Sequence, residues 1–522
     1  MNLNSVPPVD KTFKLKEVIY YTPPPRRAML VSLGCHVHGA INFWPDVSDS
    51  NSALLGVMKR IATRMPAIDP ILMKKFTAFS EKFILDNMEC CILDPTEDLS
   101  VEHWLEQTDY PGVRKEQLLR ESEKRPFCIS KDFLVKQHVK HESYTTPKHF
   151  RGIYSRVDYF KTQLGPIMFA IGKRFFKQKW FIKNIPMEER ARFMQERFGA
   201  TWIKMCSNDF TSFEATFVRV LMKIEAFFVN FCLQNRPERE KIMEYINKTK
   251  LGRNKVLCRY FWFILQSKRY SGEMDTSLMN SLMNLLFIVF LLIESGEKMQ
   301  FIEDVPPVIE GDDSDFAHTV DIDETILVRL GANVKLEHHA SLADAQFCKI
   351  IFDEDVVEIV TDPVESLLNF GYTNLYYLNA SDKTFSFLIR AKSMSMIYTY
   401  PTCPILRSLA MYGLRVTHDV HNRDVYKMID KMDAYKKQIF LTAFNKRHEL
   451  VVDREINIKS RLLVESKFKV PVAVQFDIER YLDSLTSIQI LNIPHLDLIC
   501  DDARIQHFYN FSVVCPFVNS TF

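Results

Sequence analysis

Apolar residues at 217, 221, 224, 228 and 231 recur at helical spacing and predict one amphipathic helix over 214–234. Leu54-Leu55, Met58 and Ile61-Ala62 carry the same signal within 50–110. Thr276–Ile293 is a more apolar helix, and its densest run, Leu282–Ile293, spans about 12 residues against the roughly 20 that cross a bilayer. We read it as a buried core helix and expect no transmembrane segment in this chain. Thr201–Ser207 alternates and predicts a strand running into Asn208-Asp209. Val305–Glu310 and Ser314–Val320 flank Gly311-Asp312-Asp313, the pattern of a hairpin. From Asp362-Pro363 onward the pattern is mainly helical, broken at Tyr400-Pro401-Thr402-Cys403-Pro404, with a mixed tail at Val513–Phe517. The fold class expected is α+β, a small sheet region near 200–360 between helical lobes.

Composition changes this picture in three places. The 522 residues are 47% hydrophobic and 25% charged, which excludes a wholly disordered or collagen-like chain. The formal net charge of +2 hides a basic segment: residues 114–192 hold 19 Lys+Arg against 8 Asp+Glu, a local +11 that favours a polyanionic partner. The 11 Cys are odd in number, and Met1-Asn2-Leu3-Asn4 has no apolar leader, so reduced cytoplasmic thiols are expected. Cys35-His36-Val37-His38 with Cys90-Cys91 lacks the paired spacing of a zinc site and reads as buried Cys and ordinary His. Thr22-Pro-Pro-Pro-Arg-Arg27 reads as a surface strap, and Asp501-Asp502 as a surface pair.

Four features carry chemistry together. Asp209-Phe-Thr-Ser-Phe-Glu214 closes a predicted strand, and Glu310-Gly-Asp312-Asp313 occupies the hairpin turn. Carboxylates at a strand end and in a tight turn can converge on hard cations, and Mg²⁺ is held by one or two carboxylates plus substrate phosphates. Asp209 and Asp312 are the candidate ligands of two ions clamping an in-line phosphoryl displacement. Ser271-Gly-Glu-Met-Asp-Thr276-Ser-Leu-Met-Asn280 enters the apolar helix, and its short polar residues suit a ribose 2′-OH. Glu214 is expected to orient Asn280 or accept from that hydroxyl. Lys140, Lys148, Arg151 and Arg156 are expected to neutralise a triphosphate and the departing pyrophosphate. Each feature alone is weak; their order and spacing together are not.

These residues resemble the motifs of viral RNA-dependent RNA polymerases of positive-strand RNA viruses, in particular the tombus-like and noda-like group. The basic cluster with Tyr159 and Gly165 is similar to motif F, Asp209–Glu214 to motif A, Ser271-Gly272, Thr276 and Asn280 to motif B, and Gly311-Asp312-Asp313 to motif C. Leu330-Gly331 through Lys335 resembles motif D, Gln346-Phe347-Cys348 motif E, and Ala391-Lys392-Ser-Met-Ser395 with Pro401–Pro404 the start of a thumb. The resemblance covers roughly residues 130–410. The second acid of motif A is commonly Asp, and Glu214 is one methylene longer.

The resemblance implies a right-hand polymerase of fingers, a palm made of a small antiparallel sheet packed on helices, and a mainly helical thumb. Its units would be an N-terminal extension joined to the fingers (1–110), fingers with the basic NTP channel (111–190), palm (191–225 and 268–365), a fingers insertion (226–267), and thumb with C-terminal tail (366–522). It implies an RNA-directed RNA polymerase, a nucleotidyltransferase using two Mg²⁺ or Mn²⁺ ions on Asp209 and Asp312, with Asp313 secondary and Lys335 as general acid. Lys140, Lys148, Arg151 and Arg156 would line the NTP channel, and Glu214, Ser271, Gly272, Thr276 and Asn280 would meet the nucleotide. Partners would be RNA template, nascent RNA, NTPs and viral or host replication factors at a membrane, in the host cytoplasm. The alternatives are an inactive RNA-binding scaffold of a replication complex and a reverse transcriptase, against which Gly311 and Asn280 speak.

Overall fold

The computed structural model describes residues 7–18, 30–45, 49–123, 133–199, 204–353, 357–428, 434–446, 455–511 and 513–514. The segment 22–27, the first three residues of the strand expected from Thr201, and the tail beyond Val514 lie outside them. The fold is mixed α+β, 51% helical and 15% strand.

The strands are β1 (Lys14–Val18), β2 (Leu30–Ser32), β3 (Val135–Val139), β4 (Gly152–Arg156), β5 (Lys204–Phe210), β6 (Arg253–Leu257), β7 (Phe261–Gln266), β8 (Val308–Glu310), β9 (Asp313–His318), β10 (Val334–His339), β11 (Ile351–Asp353), β12 (Glu358–Val360), β13 (Tyr372–Asn374) and β14 (Val513–Val514). They form a five-stranded sheet ordered β1-β7-β6-β3-β4, a four-stranded sheet ordered β10-β5-β9-β8, a β11–β12 pair and a small β13-β2-β14 sheet. The first 110 residues therefore divide between units: β1 joins the five-stranded sheet, whereas β2 pairs with β13 and β14 beside the C-terminal helices.

The four-stranded sheet is antiparallel and covered on both faces. Cys206, Phe210, Phe316 and Leu336 project into a core shared with the helix Thr276–Glu294, while Met205, Ala317 and Val308 pack with Ile182, Met194, Phe198 and Phe347 on the other side. Burial on both faces is why the pairing register is well specified: a slip by one residue would exchange the two sets of side chains. Thr276–Glu294 is apolar on nearly every side, as a helix enclosed by a core must be. It runs 19 residues, longer than the apolar run alone suggested. It is long and apolar enough to cross a membrane, with 78% of that apolar window buried inside the protein.

The helix expected over 214–234 is broken. Ser212 adopts a left-handed conformation, Phe213–Thr216 forms a single turn, and Arg219–Cys232 is the helix proper. Phe217 and Val218 are extended between them. The buried Lys268 donates its Nζ to the Ala215 carbonyl at 2.7 Å, taking an acceptor that a continuous helix would have used.

The C-terminal helices enclose a second core that includes Val31, Leu33, Cys35, Leu367, Leu409 and Ile478. Cys35 and Cys91 are buried, Cys90 is exposed rather than buried as expected, and His36 is buried with its ring bonded to Ser32 Oγ at 2.7 Å. Asp501 caps the helix Asp502–Asn510 and pairs with Arg504.

Candidate active site

The site is built where β5 and β9 end together. Asn208 stands opposite Ser314 in register, so the next residues, Asp209 and Asp313, close the same end of the sheet. Glu310 pairs with Asp313 across the hairpin, leaving Gly311-Asp312 as a two-residue loop. Gly311 has φ +69°, the left-handed value that the first position of such a loop requires and a side chain resists.

The loop is fixed from below by side chains that the sequence pattern did not single out. Ser281 Oγ accepts from the Gly311 N–H at 2.9 Å, and Asn284 Nδ2 donates to the Gly311 carbonyl at 3.2 Å. Asn208 Nδ2 donates to Asn284 Oδ1 at 2.8 Å, while Asn208 Oδ1 accepts from the Ser314 N–H at 3.0 Å. A polar cluster in the apolar helix thus locks the hairpin tip to β5. The signal was present as Ser281 and Asn284 interrupting an otherwise apolar run.

The acids at this tip repel one another. Burial raises the Asp312 carboxyl above its ordinary value and Glu214 adds to this, against the pull of Arg151 and Arg60. Asp313 rises to about 6 through desolvation at the crowded sheet end, then through Asp312, Asp209 and Glu310, while the Cys348 thiol bonds to it and works the other way. Carboxylates short of positive charge suit a divalent cation, which would relieve that repulsion. Among the described residues, no three His, Cys, Asp or Glu side chains converge closely enough to hold an ion by themselves. The donor set fits Mg²⁺ or Mn²⁺, which take few protein carboxylates and complete their shell with water and phosphate oxygens.

Lys335 stands directly opposite Asp209 in the β10–β5 register, exposed, with its Nζ 2.6 Å from Glu337. Asp315, two residues past Asp313, is fully buried, accepts from Ser207 Oγ at 2.7 Å and is pushed up to about 7 by burial.

Ser271 Oγ donates to the Gly152 carbonyl at 3.0 Å, and the Gly272 N–H donates to the Tyr154 carbonyl at 3.0 Å. A Cβ at Gly272 would lie 2.4 Å from Ser155 Oγ and 2.8 Å from Ile153, so the loop approaches β4 only because this residue is Gly. Thr276 Oγ1 donates to the Tyr270 and Glu273 carbonyls, shaping the turn into the helix. Asn280 follows one turn later, and among the described residues its buried Oδ1 finds no hydrogen-bond donor.

Two of the expected roles are altered by partners distant in sequence. Glu214 does not engage Asn280; Arg60, at the end of the helix Ser50–Lys59, binds both its oxygens at 2.9 and 3.2 Å. Arg156 was expected to line an NTP channel, but its side chain is 2% exposed. It lies on the inner face of β4, 2.6 Å from Glu273 and bonded to Asn254 at 2.9 Å. Together with Lys250, Arg269, Glu225, Glu273 and Asp275 it forms a buried cluster of three cations and three acids beneath the Ser271–Thr276 loop. Lys140 and Arg151 remain at the surface, 2.7 and 3.6 Å from Glu142, and Lys148 is exposed. Arg151 and Arg60 both lie within electrostatic reach of Asp312.

No protein-family model matches the chain, and no curated protein does.

Proposed function

We propose that this chain is a template-directed RNA polymerase joining ribonucleotides by two-metal-ion transfer. The observation that carries the reading is the β5–β9 register, which brings a strand-end Asp beside a Gly-Asp-Asp hairpin whose mutually repelling carboxylates want a cation. On this reading the four-stranded sheet is the palm, the five-stranded sheet belongs to the fingers, and the C-terminal helices are the thumb. The chain would act in a replication complex at a host membrane, through partners.

Asp209 and Asp312 would hold Mg²⁺ or Mn²⁺, with Asp313 secondary. Two such ions would supply positive charge to the attacking 3′-oxygen of the growing strand and to the oxygen that leaves the α-phosphorus with pyrophosphate. Arg151, Lys140 and Lys148 then neutralise the triphosphate, while Arg156 acts from below as a positioning group of the loop. On this reading Ser271 and Asn280 would meet the ribose, and Glu214, fixed by Arg60, would supply an acceptor for its hydroxyl. Lys335 donates the proton that the leaving pyrophosphate takes up. Positioning and charge, not a covalent protein intermediate, do the catalytic work.

The test is incorporation of labelled nucleotide on an RNA template with Mg²⁺ or Mn²⁺. Wild type is expected to incorporate NTPs in preference to dNTPs, and Asp312→Ala to abolish this while retaining RNA binding. RNA binding without incorporation by wild type under either metal would support the scaffold reading; a preference for dNTPs would support a reverse transcriptase.

A further inference from the structure

The five-stranded sheet has one face in the core and one in solvent. Val135, Tyr154, Val256, Phe263 and Leu265 point inward with the helix Ser50–Lys59. The alternating positions point outward: the strand register puts Lys14 opposite Ile264, Ile264 opposite Lys255, and Trp262 opposite Leu257, which is itself level with Lys136. Lys14, Lys136, Arg253 and Lys255 are exposed on this face, together with His138. Among the described residues none of the four cations forms a salt bridge. Lys255 Nζ lies 4.0 Å from the centre of the Trp262 ring, covering a half-buried aromatic. The register brings one acidic position, Glu17, to this face, opposite Trp262.

We propose that this outer sheet face is a docking surface for single-stranded RNA, which rests on the polymerase reading above and extends it to the path of the strand outside the active site. Charge complementarity points to a polyanion. An extended strand fits better than a duplex because the cations lie on three strands, β1, β6 and β3, spread across about 14 Å of the sheet, around an aromatic ring on which a base can stack. The face is continuous with the candidate site. Ser155 lies opposite Lys136 on the edge strand β4, and the same Ser155 is the side chain against which Gly272 packs. A strand crossing the sheet from Lys14 towards β4 arrives at the Ser271-Gly272 loop. The occupant is RNA and not a membrane, because an anionic bilayer would answer the charge but would have no use for an aromatic ring lying under a lysine beside the nucleotide site.

The experiment measures binding of full-length protein to a labelled single-stranded RNA by anisotropy, over a series of salt concentrations and without nucleotides. Lys136→Gln/Arg253→Gln/Lys255→Gln is expected to weaken binding at least tenfold and to reduce the slope of log affinity against log salt by about 2, near 0.7 for each cation lost on a single strand. Trp262→Leu is expected to weaken binding about tenfold at every salt concentration with the slope unchanged. Each single Lys or Arg replacement lies at an exposed position and reports a proportionate part if the triple variant does not fold. Unchanged affinity and slope in the charge variants would overturn the proposal, as would loss of binding to vesicles of anionic phospholipid with RNA binding intact. Since no incorporation is measured, a catalytically silent wild type whose RNA binding still depends on these residues would refute the polymerase reading and leave the RNA surface standing.

Discussion

Arg60 holds both carboxylate oxygens of Glu214, at 2.9 and 3.2 Å, with side chains 22% and 13% exposed. A bidentate guanidinium fixes the plane of a carboxylate as well as its position. Glu has one more rotatable bond than Asp, and the Arg removes the freedom that bond introduces. Arg60→Ala is therefore expected to lower the ratio of kcat/KM for NTP over 2′-dNTP by about tenfold, the worth of one such charge-assisted contact. Arg60→Lys, which cannot form the fork, should restore part of it. Steady-state incorporation with both substrates checks this, and an unchanged ratio in Arg60→Ala would show that Glu214 does not read the sugar.

The hairpin tip depends on Asn284, which bonds to Asn208 and to the Gly311 carbonyl. Asn284→Ala leaves the buried Asn208 amide without its acceptor, at a cost of about 1–3 kcal/mol. Urea unfolding should show that loss. Because Asp312 sits on the loop that is freed, kcat should fall more than KM rises. Asn284→Asp, which keeps the acceptor but adds a buried charge, should not rescue.

Asp315 sets a pH dependence of stability. Its folded value of about 7 lies above the ordinary 3.8, so the folded state keeps a proton that the unfolded chain releases. Stability therefore declines as pH rises from about 4 to about 7 and stays at the lower level above that. Asp315→Asn removes the charge while keeping an acceptor for Ser207. Above pH 7 the variant should be more stable by roughly 2–4 kcal/mol, with the difference vanishing towards pH 4. Urea midpoints across this pH range measure it; a variant less stable than wild type at pH 8 would contradict the argument.

The buried charge cluster beneath the Ser271–Thr276 loop is balanced, and Lys250 lies within 4 Å of three acids. Lys250→Met leaves those acids short of a cation, and about 3–5 kcal/mol of stability should be lost. Guanidinium unfolding measures this. A loss under 1 kcal/mol would mean that the acids protonate at little cost.

The parts of the site legible in the sequence are the local ones. Asp209 at a strand end and Asp312 after Gly311 each declare themselves within a few residues. Arg60 was not legible because it meets Glu214 across 154 residues, through a helix whose own pattern records only its core face. The burial of Arg156 was hidden for the same reason, since Glu273 lies 117 residues away. Basic residues in a sequence do not announce which face of a strand they occupy: Arg156 turns inward and Lys136 outward, and only the pairing of β3 with β4 and β6 decides it. The broken helix at Phe217 likewise depends on Lys268, a partner that periodicity cannot see.

The most direct measurement uses homopolymer RNA templates with one labelled nucleotide at a time. A polymerase built on Asp209 and Asp312 incorporates GMP on poly(C) and UMP on poly(A), does neither when the templates are exchanged, and loses both activities in Asp209→Ala and Asp312→Ala. Incorporation that ignores the template, or that survives in both variants, would contradict the account.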